Sequence, residues 1–200
     1  MLKELSTVVA CAALVGCVDA RKSFNDFEDH VVDANTSMPD NPILSSIPDA
    51  TGHFLMAVHV AAAPSAPPIT LVADLTVTDD GHGNVTLSYV GSALDATSHQ
   101  LATDPPAGPQ FSATNMPVGN DGSFSAALMG TLPGDANPVA AGTPVDANAV
   151  LHGTIISKDL VCGTLTGTAL VDLSGSTWAS IRIPDGQIGA DLPTPVTACP

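Results

Sequence analysis

From Ile69 to Thr78 the chain alternates without a break. Ile69, Leu71, Ala73, Leu75 and Val77 fall on one side, and Thr70, Val72, Asp74, Thr76 and Thr78 on the other. Successive side chains of a strand point to opposite faces, so this period of two specifies a half-buried strand and excludes an amphipathic helix. Asp79-Asp80-Gly81-His82-Gly83-Asn84 follows, with glycines able to take the positive φ of a tight reversal. The alternation then resumes as Val85, Leu87, Tyr89 and Gly91 against Thr86, Ser88 and Val90. Residues 69–92 therefore read as a β-hairpin, and the rest of the chain must supply strands to cover its apolar face.

Those strands are present. Phe54, Met56, Val58 and Val60 alternate with His53, Leu55, Ala57 and His59 before a Pro-rich break at Pro64, Pro67 and Pro68. Residues 95–120 hold Pro105, Pro106 and Pro109 and read mainly as a loop, with short edge strands expected at 99–103 and 110–115. Asp121-Gly122 turns into Phe124, Ala126, Leu128 and Gly130, and a second loop is expected at 133–148. The last third gives strands at 149–157, 162–173 and 177–183, with Gly153, Gly163 and Gly167 marking bulges or close backbone approach. No segment after residue 52 repeats at helical spacing. The expected fold is all-β, a single antiparallel β-sandwich or small β-barrel of about seven to nine strands spanning 53–200.

The first residues do not belong to that fold. An apolar run from Leu5 to Val15 follows Lys3 and ends in Leu14-Val15-Gly16-Cys17. It is shorter than the roughly 20 residues that span a bilayer and has the layout of a secretory signal peptide. Leu14-Val15-Gly16-Cys17 resembles the lipobox of bacterial lipoproteins. That resemblance implies a signal peptide at 1–16, diacylglycerylation of the Cys17 thiol, and an exported protein anchored by its acyl chains. Val18 in the next position favours the outer over the inner membrane under the enterobacterial sorting rule. The other reading of the same run is an ordinary secretory leader cut near Cys17 or Ala20. Residues 17–52, rich in acids, Asn, Ser and Pro, read as a flexible acidic tether. Further on, Leu160-Val161-Cys162-Gly163-Thr164-Leu165-Thr166-Gly167 and Gly175-Ser176-Thr177-Trp178-Ala179 resemble segments of bacterial lipoproteins to which no activity is attached.

Only 12% of residues are charged, and the net charge is −15. A chain this poor in Lys and Arg cannot neutralise phosphates, which excludes nucleic-acid binding. It also disfavours anionic lipid head groups, leaving the acyl chains as the attachment to a membrane. Beyond Cys11 and Cys17 remain Cys162 and Cys199, an even pair in an export compartment; they read as a disulfide, with two buried free thiols as the alternative.

Candidate chemistry is sparse. His53 and His59 share a face but lie six residues, about 20 Å, apart along a strand and cannot share a metal ion. His59 with His152 or His82 across strands remains open. Asp79, Asp80 and Asn84 are weak calcium candidates, lacking the spacing and closing Glu of an EF-hand loop. There is no G-x-S-x-G elbow and no phosphate loop, and no cofactor is implied. Trp178 reads as core in preference to a sugar platform. The expectation is a non-catalytic binding or structural domain held at the cell envelope, its partner an envelope protein. The alternatives are a lipocalin-like carrier of a small apolar ligand and a calcium-dependent or hydrolytic module.

Overall fold

The computed structural model describes residues 46–103, 110–140 and 142–200. The expected leader, Cys17 and most of the expected tether lie outside the described residues. Eight strands follow in order: β1 Gly52–His59, β2 Ile69–Asp79, β3 Val85–Ala93, β4 Phe111–Val118, β5 Ser123–Leu132, β6 Val145–Ser157, β7 Leu160–Thr168 and β8 Ser176–Arg182. One 3₁₀ turn, Gly189–Asp191, follows. All pair antiparallel in one sheet of order β4-β3-β2-β1-β8-β7-β6-β5, which curls into a nearly closed barrel. Of the two architectures expected from the sequence, this is the barrel.

The seam falls between β4 and β5. At one end of the seam Gly119 N donates to Ser123 O at 2.8 Å. At the other, Gly130 passes so near β4 that a Cβ on it would stand 2.0 Å from Gln110 O. The two end strands of the sheet thus meet at both ends of the seam, and the pattern that specified the hairpin is what fills the enclosed space. Leu71, Ala73, Leu75, Leu87, Tyr89, Ala126, Leu128, Leu151, Leu165 and Trp178 all point inward. Outward positions such as Thr76, Ser112, Ser125, Asn148 and Thr164 are exposed and polar. An apolar inside and a polar outside is the reverse of a membrane-spanning barrel.

The barrel has two unlike ends. The turn end carries the short β2–β3, β4–β5 and β6–β7 connections. The loop end carries the longer β1–β2, β3–β4, β5–β6 and β7–β8 segments. At the loop end the β3–β4 region departs from the sequence reading. Residues 99–103 contribute only the Leu94–Leu101 bridge, whereas β4 runs on to Val118. The continuation was hidden by Asn115 and Pro117. Asn115 takes φ 52° in a bulge where the register shifts opposite Ser88, and its N–H donates to Ser88 Oγ at 3.1 Å. Pro117 is tolerated because β4 ends the sheet order. The expected strand at 162–173 stops at Thr168, and the expected loop at 133–148 gives way to β6 at Val145. Packing also starts upstream of β1. Ala50 is fully buried, Ile47 packs on the core, and Val77 N donates to Thr51 Oγ1 at 2.9 Å.

β1 and β8 are buried on both faces. Their outer residues Leu55, Ala57 and Ala179 are at most 1% exposed, and the C-terminal strap, residues 184–199, packs on Leu55. Ile188 and Leu192 of the strap pack with Leu55, Leu94 and Ile183 in a second apolar cluster outside the barrel. The strap is fastened by the Cys162–Cys199 disulfide, Cα–Cα 5.4 Å, so the pairing expected from the sequence is present.

Candidate functional site: the loop end of the barrel

The interior is filled unevenly. In the turn half, Phe124 and Trp178 meet edge to face with centroids 6.3 Å apart, and the Trp178 indole N–H donates to Thr164 O at 3.1 Å. Trp178 is 2% exposed, a core residue as expected. These rings fit because Gly153 faces them; a Cβ there would lie 2.5 Å from Phe124 and 2.7 Å from Trp178. The last inward position of β8 is Arg182, which closes the turn end. Its guanidinium lies 4.8 Å above the Phe54 ring and donates to Asp159 Oδ1 at 2.8 Å, to Thr51 O at 2.8 Å and to Lys158 O.

The loop half is lined by aliphatic and small residues instead, and they leave a gap. A cavity of about 80 Å³ lies among Met56, Val58, Leu71, Leu128, Ala149 and Leu165, bounded toward the loops by Val60, Leu132 and Leu173. Tyr89 also lines it, but its hydroxyl is buried away from the space and donates to Met56 Sδ at 3.3 Å. Burial in this apolar surrounding pushes the phenol pKa up, so Tyr89 stays neutral. The cavity therefore offers hydrocarbon contact and almost no hydrogen bonding.

The remaining sequence candidates fall elsewhere. Asp79 and Asp80 sit in the β2–β3 turn at the opposite end. Asp79 Oδ1 accepts from Gly81 N at 2.8 Å; Asp80 Oδ1 accepts from His82 N at 2.8 Å and from Asn84 N at 3.1 Å, while Asp80 Oδ2 accepts from Asn84 Nδ2 at 2.7 Å. The carboxylates and Asn84 thus cap the turn. Asp79 Oδ1 and both Asp80 oxygens are engaged with the turn's own amides.

Every acid after residue 46 is an aspartate, and the same use recurs. Asp49 accepts from Thr51, Asp95 from Thr97 and Ser98, Asp121 from Ser123, and Asp172 from Ser174. These bonds hold the carboxyl pKa values below the usual range. The largest cause is the Asn84 side chain for Asp80, the Ser98 amide for Asp95 and the Ser123 hydroxyl for Asp121.

The histidines are dispersed. His59 pairs with Thr177 at the end of β1, and His82 lies in the β2–β3 turn. His152 stands on the outer face of β6 between Ser125 and Thr166, so neither pairing entertained for His59 is formed. His53 contacts Asp74 through Nδ1, with Asp185 Oδ1 3.7 Å from Nε2. Among the described residues no three His, Cys, Asp or Glu side chains gather as a metal site. An apolar pocket lined by small residues is what the sequence leads one to expect of a closed barrel, without fixing its position along the strands; the small residues Ala147 and Ala149 of β6 line it, and Ala149 faces Gly167 of β7. No family model, curated protein or solved structure matches this chain.

Proposed function

We propose that the chain is an exported lipoprotein, acylated at Cys17, in which an acidic tether presents a non-catalytic β-barrel whose loop end is the binding end. One observation carries the assignment of the end: Arg182 and the aromatic layer close the turn half, while the loop half keeps an apolar cavity beneath the longest connections. At about 80 Å³ that cavity is roughly half the volume of an engineered protein cavity that takes benzene. It suits the hydrocarbon end of a larger molecule, with the rest of the ligand resting on the loops, and does not suit an enclosed lipid. The anchor is supported by the lipobox resemblance and by a net charge of −15, which leaves acyl chains as the means of holding an anionic membrane. An outer-membrane position is supported by Val18.

Two measurements test the two halves of this reading. Labelled palmitate should enter the wild-type chain in its native host and not Cys17→Ser; equal labelling removes the anchor. Native mass spectrometry of protein extracted from the envelope should show an apolar adduct on wild type that is lost in Ala149→Leu, whose added methyl groups occupy the cavity. An adduct indifferent to that substitution places binding elsewhere.

A further inference from the structure

Charge divides the two ends of the barrel as sharply as packing does. After residue 22 the chain has one lysine and one arginine, Lys158 and Arg182. Both stand at the turn end, Lys158 in the β6–β7 connection and Arg182 at the end of β8, where it pairs with Asp159. The loop end carries Asp95, Asp135, Asp146 and Asp172, with His59 and His99 as its nitrogen bases among the described residues. An anionic head group resting there would meet carboxylates without a lysine or arginine to offset them.

The four aspartates are not equivalent. Asp95 Oδ1 accepts from the Thr97 and Ser98 amides, Asp172 Oδ1 from Ser174 N, and Asp146 Oδ1 from the Thr131 hydroxyl. Asp135 lies three residues beyond Leu132, which bounds the cavity, and directly before Ala136, which is 1% exposed and belongs to the barrel core. Its Oδ2 accepts from Thr103 N at 2.8 Å and from Thr103 Oγ1 at 3.3 Å, and its carbonyl accepts from Ala96 N at 2.9 Å. These bonds tie the β3–β4 and β5–β6 segments together and fix the carboxylate. Its Oδ1, by contrast, is buried and has no hydrogen-bond partner among the described residues. A buried carboxylate oxygen without a donor is costly, and a charged N–H is the donor that relieves it best.

Tail and head can then be specified together. The cavity of about 80 Å³ is lined by hydrocarbon and admits the tip of one chain. Resting on the reading of the loop end as the binding end, we propose that its ligand is a single-chain amphiphile with an ammonium head, the chain tip among Leu128, Ala149 and Leu165 and the ammonium on Asp135 Oδ1. The other loop-end carboxylates favour the same sign of charge at longer range.

Octylammonium, 1-octanol and octanoate share one chain and differ in the head. Each is titrated below its aggregation concentration into the oxidised full-length chain, near neutral pH and at low salt, and read by methyl and amide NMR shifts. Octylammonium should give saturable shifts at Leu128, Ala149 and Leu165, octanol should do so about fivefold more weakly, and octanoate more weakly again. Asp135→Asn should lower octylammonium affinity about fivefold and leave octanol unchanged. The amide oxygen of that variant still accepts from Thr103, and its unchanged octanol affinity reports an intact barrel. Octanol binding as tightly as octylammonium, with both lost in Ala149→Leu, would overturn the ammonium head while keeping the loop-end cavity. Octylammonium binding Asp135→Asn as it binds wild type would overturn the proposal too. An absence of shifts inside the barrel with all three compounds would remove the cavity reading and this ligand with it.

Discussion

Arg182 shows how much one side chain carries in a chain with so few cations. Its planar fork serves two backbone carbonyls and Asp159 while its face covers Phe54, and Arg182→Ala should lower stability by about 2–3 kcal/mol in urea unfolding. Arg182→Lys should recover less than half of that, because an ammonium cannot reproduce the fork. Nothing in the sequence distinguishes Arg182 from a solvent-facing cation, since its partners lie in other elements. The exposed aspartates have a structural use that their abundance does not reveal: Asp49, Asp80, Asp95, Asp121 and Asp172 each accept from residues two to four positions on and lock their own turns. Because these carboxyls have folded pKa values below their unfolded ones, the stability they give is present above the unfolded carboxyl pKa of about 3.9 and is lost as pH falls through the folded values. Thermal melts should therefore be flat from pH 5 upward with respect to these groups and fall steeply below about pH 4. Asp95→Asn should shallow that acid limb, and an acid limb unchanged by it would contradict the assignment.

Among the elements, the period-two segments were legible because the alternation comes directly from which face meets the core. β2 and β3 appear in the structure as the hairpin the residues describe, paired from Leu71 with Ala93 to Asp79 with Val85. β4 was legible only in part, since a bulge inserts a residue and shifts the alternation by one. Asn115 is the residue that makes this bulge possible, and Asn115→Val should cost about 1–2 kcal/mol, whereas Asn115→Gly should be neutral within about 0.5 kcal/mol. The glycines of β6 and β7 were read correctly as sites of close approach. Gly163 is the most constrained of them: a Cβ would stand 1.9 Å from His152 O, a backbone atom that cannot move without breaking the β6–β7 ladder. Gly163→Ala should destabilise by at least about 2 kcal/mol, well beyond the loss of glycine flexibility in the unfolded chain, which acts in the other direction. The double burial of β1 and β8 was beyond local reading: Leu55, Ala57 and Ala179 are buried on the outer face, and the strap residues that pack on Leu55 lie far away in sequence.

For the whole molecule, barrel and strap form one unit in which a disulfide joins the penultimate residue to β7. Closing the loop between Cys162 and Cys199, 37 positions apart, is worth about 4 kcal/mol on the chain-entropy model. Cys199→Ser should accordingly lower the melting temperature and expose Leu55 to hydrophobic dyes while far-UV circular dichroism stays that of a β-barrel. The disulfide was legible in the sequence because Cys162 and Cys199 are the two cysteines outside the N-terminal segment that holds Cys11 and Cys17. It did not make the two ends of the barrel legible, because the difference between them is the sum of ring sizes in one half and small residues in the other. The proposal that the loop end binds a ligand rests on that difference. Xenon diffused into crystals of the protein tests it most directly, since xenon reports apolar space open to a guest. A xenon site is expected among Met56, Leu128, Ala149 and Leu165 that Ala149→Leu abolishes, with no site near Phe124 and Trp178. An empty loop half, or xenon lodged in the turn half, would contradict it.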